Sequence, residues 1–131
     1  MRASPVMAMA MPMPISVIIP TLNEERTIMA TLAHTAGLGF DELIVIDGGS
    51  TDDTPALVES YRLSTQSSAL SPVQWVTAPP GRARQMNEGA KASRGEILLF
   101  LHADTQLPGN AKIVIDMALV DLRLVGGRFD V

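Results

Sequence analysis

The chain has no cysteine, so disulfides, thiolate metal sites and cysteine nucleophiles are excluded, and a reducing compartment, the cytoplasm, fits it. It has no excess of basic charge either. Ten Lys and Arg against 14 Asp and Glu leave a net charge of −4, which argues against a protein held to nucleic acid by bulk charge. Neither Gly-x-Gly-x-x-Gly nor Gly-x-x-x-x-Gly-Lys-Ser/Thr occurs, which weakens dinucleotide and P-loop readings. Ser50 does not sit in a Gly-x-Ser-x-Gly elbow, so hydrolase chemistry is poorly supported. Long apolar runs are missing as well. No charge occurs from Ala3 to Asn23, but Pro5, Pro12, Pro14 and Pro20 interrupt that stretch, each removing a helical donor. Its clean run, Val6 to Met11, is shorter than the roughly 7–15 residues of a signal core. Residues 1–14 therefore read as a disordered Met/Pro-rich leader, and no transmembrane segment is expected.

What is present suffices for a core. The 131 residues fall a little short of one average domain. Hydrophobic residues make up 47% and charged residues 18%, with mean hydropathy +0.22, which rules out a wholly disordered chain. Charge is uneven: residues 1–80 carry 3 basic and 8 acidic side chains, residues 81–131 carry 7 and 6. The basic cluster Arg82, Arg84, Lys91 and Arg94 inside an acidic protein suggests a small anionic ligand.

After the leader, strands and helices alternate. Ser16 to Pro20, Leu43 to Ile46, Val73 to Thr77 and Ile97 to Leu101 read as buried strands, the last as the strongest. Between them, Asn23 is placed to cap a helix with Glu24 and Glu25 at its positive end and Ile28, Met29, Leu32, Ala33 and Ala36 on its apolar face. Pro55 opens a helix with Leu57, Val58 and Tyr61 inward. A helix from about Arg82 to Ser93 has a small-residue face of Ala83, Met86, Ala90 and Ser93, and a last helix covers about Asn110 to Leu119. Arg128 to Val131 reads as the start of another strand. The pattern predicts an α/β protein with an open, mainly parallel sheet and flanking helices. Ligands bind such sheets beyond the carboxyl ends of the strands, where Thr21 to Glu24, Asp47 to Asp53 and His102 to Asp104 fall.

Each cluster admits two readings. Asp104, just past a strand and beside His102, can hold Mg²⁺ or Mn²⁺ or can cap the next turn. Asp47 can accept from a ribose or base with Gly48 and Gly49 letting the ligand approach, or can close a tight turn. For Asp52 and Asp53 the capping role is favoured. Arg82 and Arg84 open a helix whose amides already favour anions, or form a solvated face.

Three segments together are more specific. Ser16-Val-Ile-Ile-Pro-Thr-Leu-Asn-Glu-Glu25, Glu42-Leu-Ile-Val-Ile-Asp-Gly-Gly-Ser-Thr-Asp52 and Gly81 to Thr105 resemble a family 2 glycosyltransferase, over about residues 15–131. Within that family the chain is most similar to a bacterial subgroup with His-Ala-Asp-Thr after the fourth strand. The resemblance implies a GT-A, Rossmann-like nucleotide-sugar-binding half and inverting transfer of a sugar from a nucleotide-sugar donor. It implies that Pro20, Thr21, Asn23 and Glu24 line the nucleotide pocket and that Asp47, Gly48 and Gly49 face the base and ribose. Arg82, Arg84, Asn87 and Ala103 would lie near the nucleotide, and Asp104 with His102 would carry a divalent cation, Mg²⁺ or Mn²⁺. Two departures stand out. His102-Ala103-Asp104 replaces the family's Asp-x-Asp, and Gly48 replaces the second carboxylate of Asp-Asp-Gly-Ser.

In this family the acceptor-binding half and the general base follow the region matched here, and Asp116, Asp121 and Asp130 are no obvious substitutes. The expectation is a donor half lacking its acceptor region, with a non-catalytic nucleotide-sugar-binding fragment or inactive remnant as the alternative. A nucleotidyltransferase ranks lower, because Thr21-Leu22-Asn23-Glu24 is not a glycine- and basic-rich loop. A cut sheet edge predicts homodimers, and a lipid-linked acceptor could bring a full-length form to a membrane surface.

Overall fold

The computed structural model describes residues 13–119 and Gly127. Four parallel strands, β1 (Ile15–Thr21), β2 (Glu42–Asp47), β3 (Val73–Thr77) and β4 (Ile97–Phe100), form one sheet in the order β3-β2-β1-β4. Helices α1 (Ile28–Ala36), α2 (Thr54–Thr65), α3 (Arg82–Ala92) and α4 (Ala111–Ala118) fill the connections. The α/β reading is therefore met. The expected leader up to residue 12 and the expected strand at 128–131 lie outside the described residues.

Parallel pairing explains the runs of Val, Ile and Leu, because both sheet faces must be covered. Ile15, Val17, Ile19, Leu43 and Val45 point to the face covered by α1 and α2, where Ile28, Leu32, Val58 and Tyr61 meet them. Alternate positions Ile18, Ile44 and Ile46 form the other, thinner core. There α3 packs on β1 and β2. It comes in close because its inward line is Gln85 and Gly89, one turn apart.

Three expectations need correction. The small-residue face of α3 meets the sheet only in part: Ala90 packs against the second core while Ala83 is exposed, and the buried positions are Gln85 and Gly89, because contact with β1 and β2 selects the closest-approaching line. In α1, Ala33 is exposed while Thr31 and Thr35 are buried. Nor is β4 the strongest buried strand. Among the described residues it is a sheet edge, with Leu98 37% and Phe100 47% exposed. An apolar run reports what a strand could bury, and among the described residues only the face bearing Ile97 and Leu99 packs into a core.

The strand order also places the ligand-binding crevice. The chain steps outward from β1 through β2 to β3, then returns to put β4 on the far side of β1. Strand order thus reverses at β1, which has β2 on one side and β4 on the other, and such a switch point is where open α/β sheets bind ligands.

Candidate functional site

Two loops leave the carboxyl ends of β1 and β2 clamped together. Asn23 adopts a left-handed conformation, φ 55°, which asparagine tolerates better than most residues. Its Oδ1 accepts hydrogen bonds from the Thr51 N–H at 2.8 Å and the Asp52 N–H at 3.2 Å, and its own N–H donates to Ser50 Oγ at 2.8 Å. The Glu24 N–H donates to Thr54 Oγ1 and the Glu25 N–H to Asp52, while the Asp53 N–H returns a bond to Glu25. Asn23 is therefore not the cap of α1, whose N-cap position falls to Thr27. The loop's pairing with β2's loop outcompetes a local cap. Asp52 does act as expected, accepting from the Thr54 N–H at 2.9 Å, whereas Asp53 makes no side-chain cap bond. Partial desolvation pushes the Asp52 carboxyl upward, but the Thr54 hydroxyl and the Thr54 and Glu25 N–H groups outweigh it and hold it below its ordinary value.

Asp47 is 3% exposed. Its Oδ1 accepts from Thr21 Oγ1 at 2.8 Å and Ser50 Oγ at 2.5 Å, and its Oδ2 from the N–H groups of Gly49 at 3.0 Å and Ser50 at 2.8 Å. Four donors occupy the carboxylate, so it closes the turn that Gly49 makes at φ 102°. The turn role expected for Asp47 is therefore present.

A cavity of about 210 Å³ opens at the switch point. The end of β1 contributes Pro20, Thr21, Leu22 and Glu24, the end of β4 contributes His102, Ala103 and Asp104, and α3 contributes Arg82 and Gln85. Seven expected residues thus converge: Pro20, Thr21, Glu24, Arg82, His102, Ala103 and Asp104. Asn23, Asp47, Gly48 and Gly49 form the adjoining clamp and do not line the cavity, and Arg84 and Asn87 are exposed elsewhere on α3. Gln85 went unnoticed in the sequence because nothing local distinguishes a buried helical glutamine from an exposed one.

The electrostatics of the cavity favour a cation between acids. Burial, then the nearby charges of Asp104 and Asp52, push the Glu24 carboxyl above its ordinary value, with His102 opposing them. Asp104 is exposed, and its recorded side-chain bond is a long one, 3.4 Å from the Thr105 hydroxyl. It does not cap a turn, and its oxygens are free for a ligand. The loop that carries it is held from below: Thr31 Oγ1 donates to the Ala103 carbonyl at 2.5 Å, and His34 Nε2 lies 2.7 Å from the Leu107 carbonyl. Among the described residues, no three His, Asp or Glu side chains cluster as a metal cage. The residues still fit Mg²⁺ or Mn²⁺, because such hard ions are held by one or two carboxylates with phosphate oxygens and water completing the shell.

A parallel sheet with a polar, cation-compatible cavity at its switch point defines an α/β domain of the nucleotide-binding kind. The family can be stated outright. Residues 16–115 match the family model "Glycosyl transferase family 2", and the chain belongs to that family. A glucosyl-3-phosphoglycerate synthase of Mycobacterium tuberculosis is 37% identical over 95 residues, covering 69% of this chain and 28% of the synthase. A crystal structure of the Mycobacterium tuberculosis synthase with Mn²⁺, UDP and glucosyl-3-phosphoglycerate superposes with TM-score 0.65, at 27% identity over 88% of this chain and 43% of that one. The mannosyltransferase of Pyrobaculum calidifontis with GDP-Man and Mn²⁺ superposes at TM-score 0.71, 25% identity, and 89% and 34% coverage. The architecture is that of GT-A glycosyltransferases, and the chain spans under half the length of these relatives. Divalent cations and nucleotide ligands both occur in those neighbours.

Proposed function

We propose that this chain forms the donor-binding part of an inverting glycosyltransferase that takes a nucleotide sugar with Mg²⁺ or Mn²⁺ and passes the sugar to an acceptor hydroxyl. The observation that carries the reading is the convergence of Glu24, Asp104 and Arg82 on one cavity at the β1/β4 switch point. Asp104, with Glu24 beside it, would hold the cation. Arg82, exposed in the first turn of α3, adds its charge to the helix dipole and draws the donor's diphosphate into the cavity. His102 and Ala103 form the wall beside it. The cation, when bound, neutralises charge developing on the departing diphosphate.

In the transfer, the acceptor oxygen bonds to the anomeric carbon as the bond from that carbon to the diphosphate oxygen breaks, and the configuration inverts. The acceptor's proton needs a base. Glu24 and Asp104 are committed to the cation and diphosphate, so this role falls to a carboxylate outside the cavity described. The cysteine-free sequence fits a cytoplasmic location, and no helix among the described residues is long and apolar enough to cross a membrane.

Calorimetric titration with UDP and GDP, with and without Mn²⁺, tests the reading. Binding that requires Mn²⁺ and disappears in Asp104→Ala is the expected result. A folded chain that binds neither nucleotide would overturn it.

A further inference from the structure

Gln85 is the one α3 side chain that is buried, polar and at the cavity, and it is 4% exposed. Its carboxamide spends both N–H donors on strand ends: Nε2 donates to the Thr21 carbonyl at 2.8 Å and to the Ile46 carbonyl at 2.9 Å. Its Oε1 accepts from the Gly81 N–H at 3.2 Å, and its own backbone N–H donates to the Gly81 carbonyl at 2.9 Å. This reach-back does for the first turn of α3 what a capping box does elsewhere, and it is needed because Gly81, at φ 138°, offers no side chain to cap with. The same carboxamide explains Gly48. That glycine is not in the left-handed region, yet a Cβ there would lie 2.9 Å from both Cδ and Oε1 of Gln85. A side chain at position 48 would have to displace the Gln85 carboxamide from its hydrogen bonds.

We propose that Gln85 is the positioning residue of the donor site: it ties the ends of β1 and β2 to the first turn of α3 and so fixes Arg82 opposite Glu24 and Asp104. The inference rests on the donor-site reading above and assigns how that site is preorganised. Gln85 acts through Arg82, so their effects on binding do not add.

The test combines Mn²⁺-dependent UDP titration with amide hydrogen exchange on the wild type, Gln85→Met, Arg82→Met and the double variant. Losing or misplacing a charge-assisted contact to the diphosphate weakens the ligand roughly 10–100-fold. Each single change is expected to fall in that range, and the double to lie within about twofold of the worse single. Losses that multiply in full would overturn the proposal. In Gln85→Met the Gly81 amide is expected to exchange faster while amides in β1 and β2 stay protected; unchanged Gly81 protection would also overturn it. Gln85→Glu keeps the shape and the Gly81 acceptor but has no N–H to give the strand carbonyls. It is expected to bind UDP as weakly as Gln85→Met, and wild-type affinity would refute the tether even if the methionine variant fails to fold. Should the wild type bind neither UDP nor GDP, the donor reading fails by itself, and the exchange arm alone decides whether Gln85 holds the turn.

Discussion

Gly89→Ala is the sharpest test of how α3 sits on the sheet, because two effects of opposite sign meet there. Alanine inside a helix is favoured over glycine by about 1 kcal/mol. Against this, a Cβ at position 89 would lie 2.5 Å from Ile18 Cγ2, 2.9 Å from Ile46 Cγ1 and 3.1 Å from Ile46 Cδ1. Carbon atoms prefer about 3.5–4.0 Å, so the helix would have to lift by roughly 1 Å. Both contacts are to β-branched side chains that have few rotamers to retreat into. Overpacking of this kind costs about 1–3 kcal/mol, and the closeness of the Ile18 contact puts Gly89 at the upper end. The net expectation is destabilisation by roughly 1–2 kcal/mol, or a Tm lower by about 4–16 °C for a domain near 100 residues. Thermal unfolding followed by circular dichroism reads this directly. Asn87→Ala, exposed on the same helix, is the control that gains propensity without a clash, and its Tm should rise slightly. A Gly89→Ala protein as stable as the wild type would refute the close approach of α3 to β1 and β2.

Other consequences can be measured on the same protein. Thr31→Val removes the hydroxyl that donates to the buried Ala103 carbonyl and should cost about 1–3 kcal/mol in denaturant unfolding, with Thr31→Ser restoring most of it; equal stability of Val and wild type would show the bond to be idle. Glu24 has its folded pKa raised, chiefly by burial and then by Asp104 and Asp52. Its contribution to stability is therefore fully present below the ordinary glutamate pKa and lost as pH rises through the folded value. Glu24→Gln should accordingly raise Tm at pH 7 and leave it unchanged near pH 3, and a Tm that falls at pH 7 would contradict this.

Much of the site was legible because its residues sit at strand ends that hydrophobic patterning locates. Val17 to Ile19 and Leu43 to Ile46 are runs that a parallel sheet buries on both sides, so Thr21 to Glu24 and the Asp47 turn had to emerge at one edge. His102 to Asp104 followed by the same argument. Asn23 was misjudged because a cap is a local device, while the partner its side chain uses lies 28 residues away at Thr51. Asp47 was ambiguous for a related reason: its type suits a ligand as well as a turn, and of its four donors Thr21 comes from a different strand.

The sequence by itself determined the order of strands and helices and the polar loops, since these follow from periodicity and turn chemistry, and its three motif segments carried the resemblance to the family. The tertiary structure decided which of those loops share a cavity. The sheet order β3-β2-β1-β4 puts the end of β4 beside β1 rather than beside β3, bringing Asp104 to Glu24 across 80 positions of chain. It also decided that β4 is an edge among the described strands and that Gln85 faces inward. The physical reason is common to all three: which side chain is buried, and what it meets, depends on elements distant in sequence, and no local pattern records them.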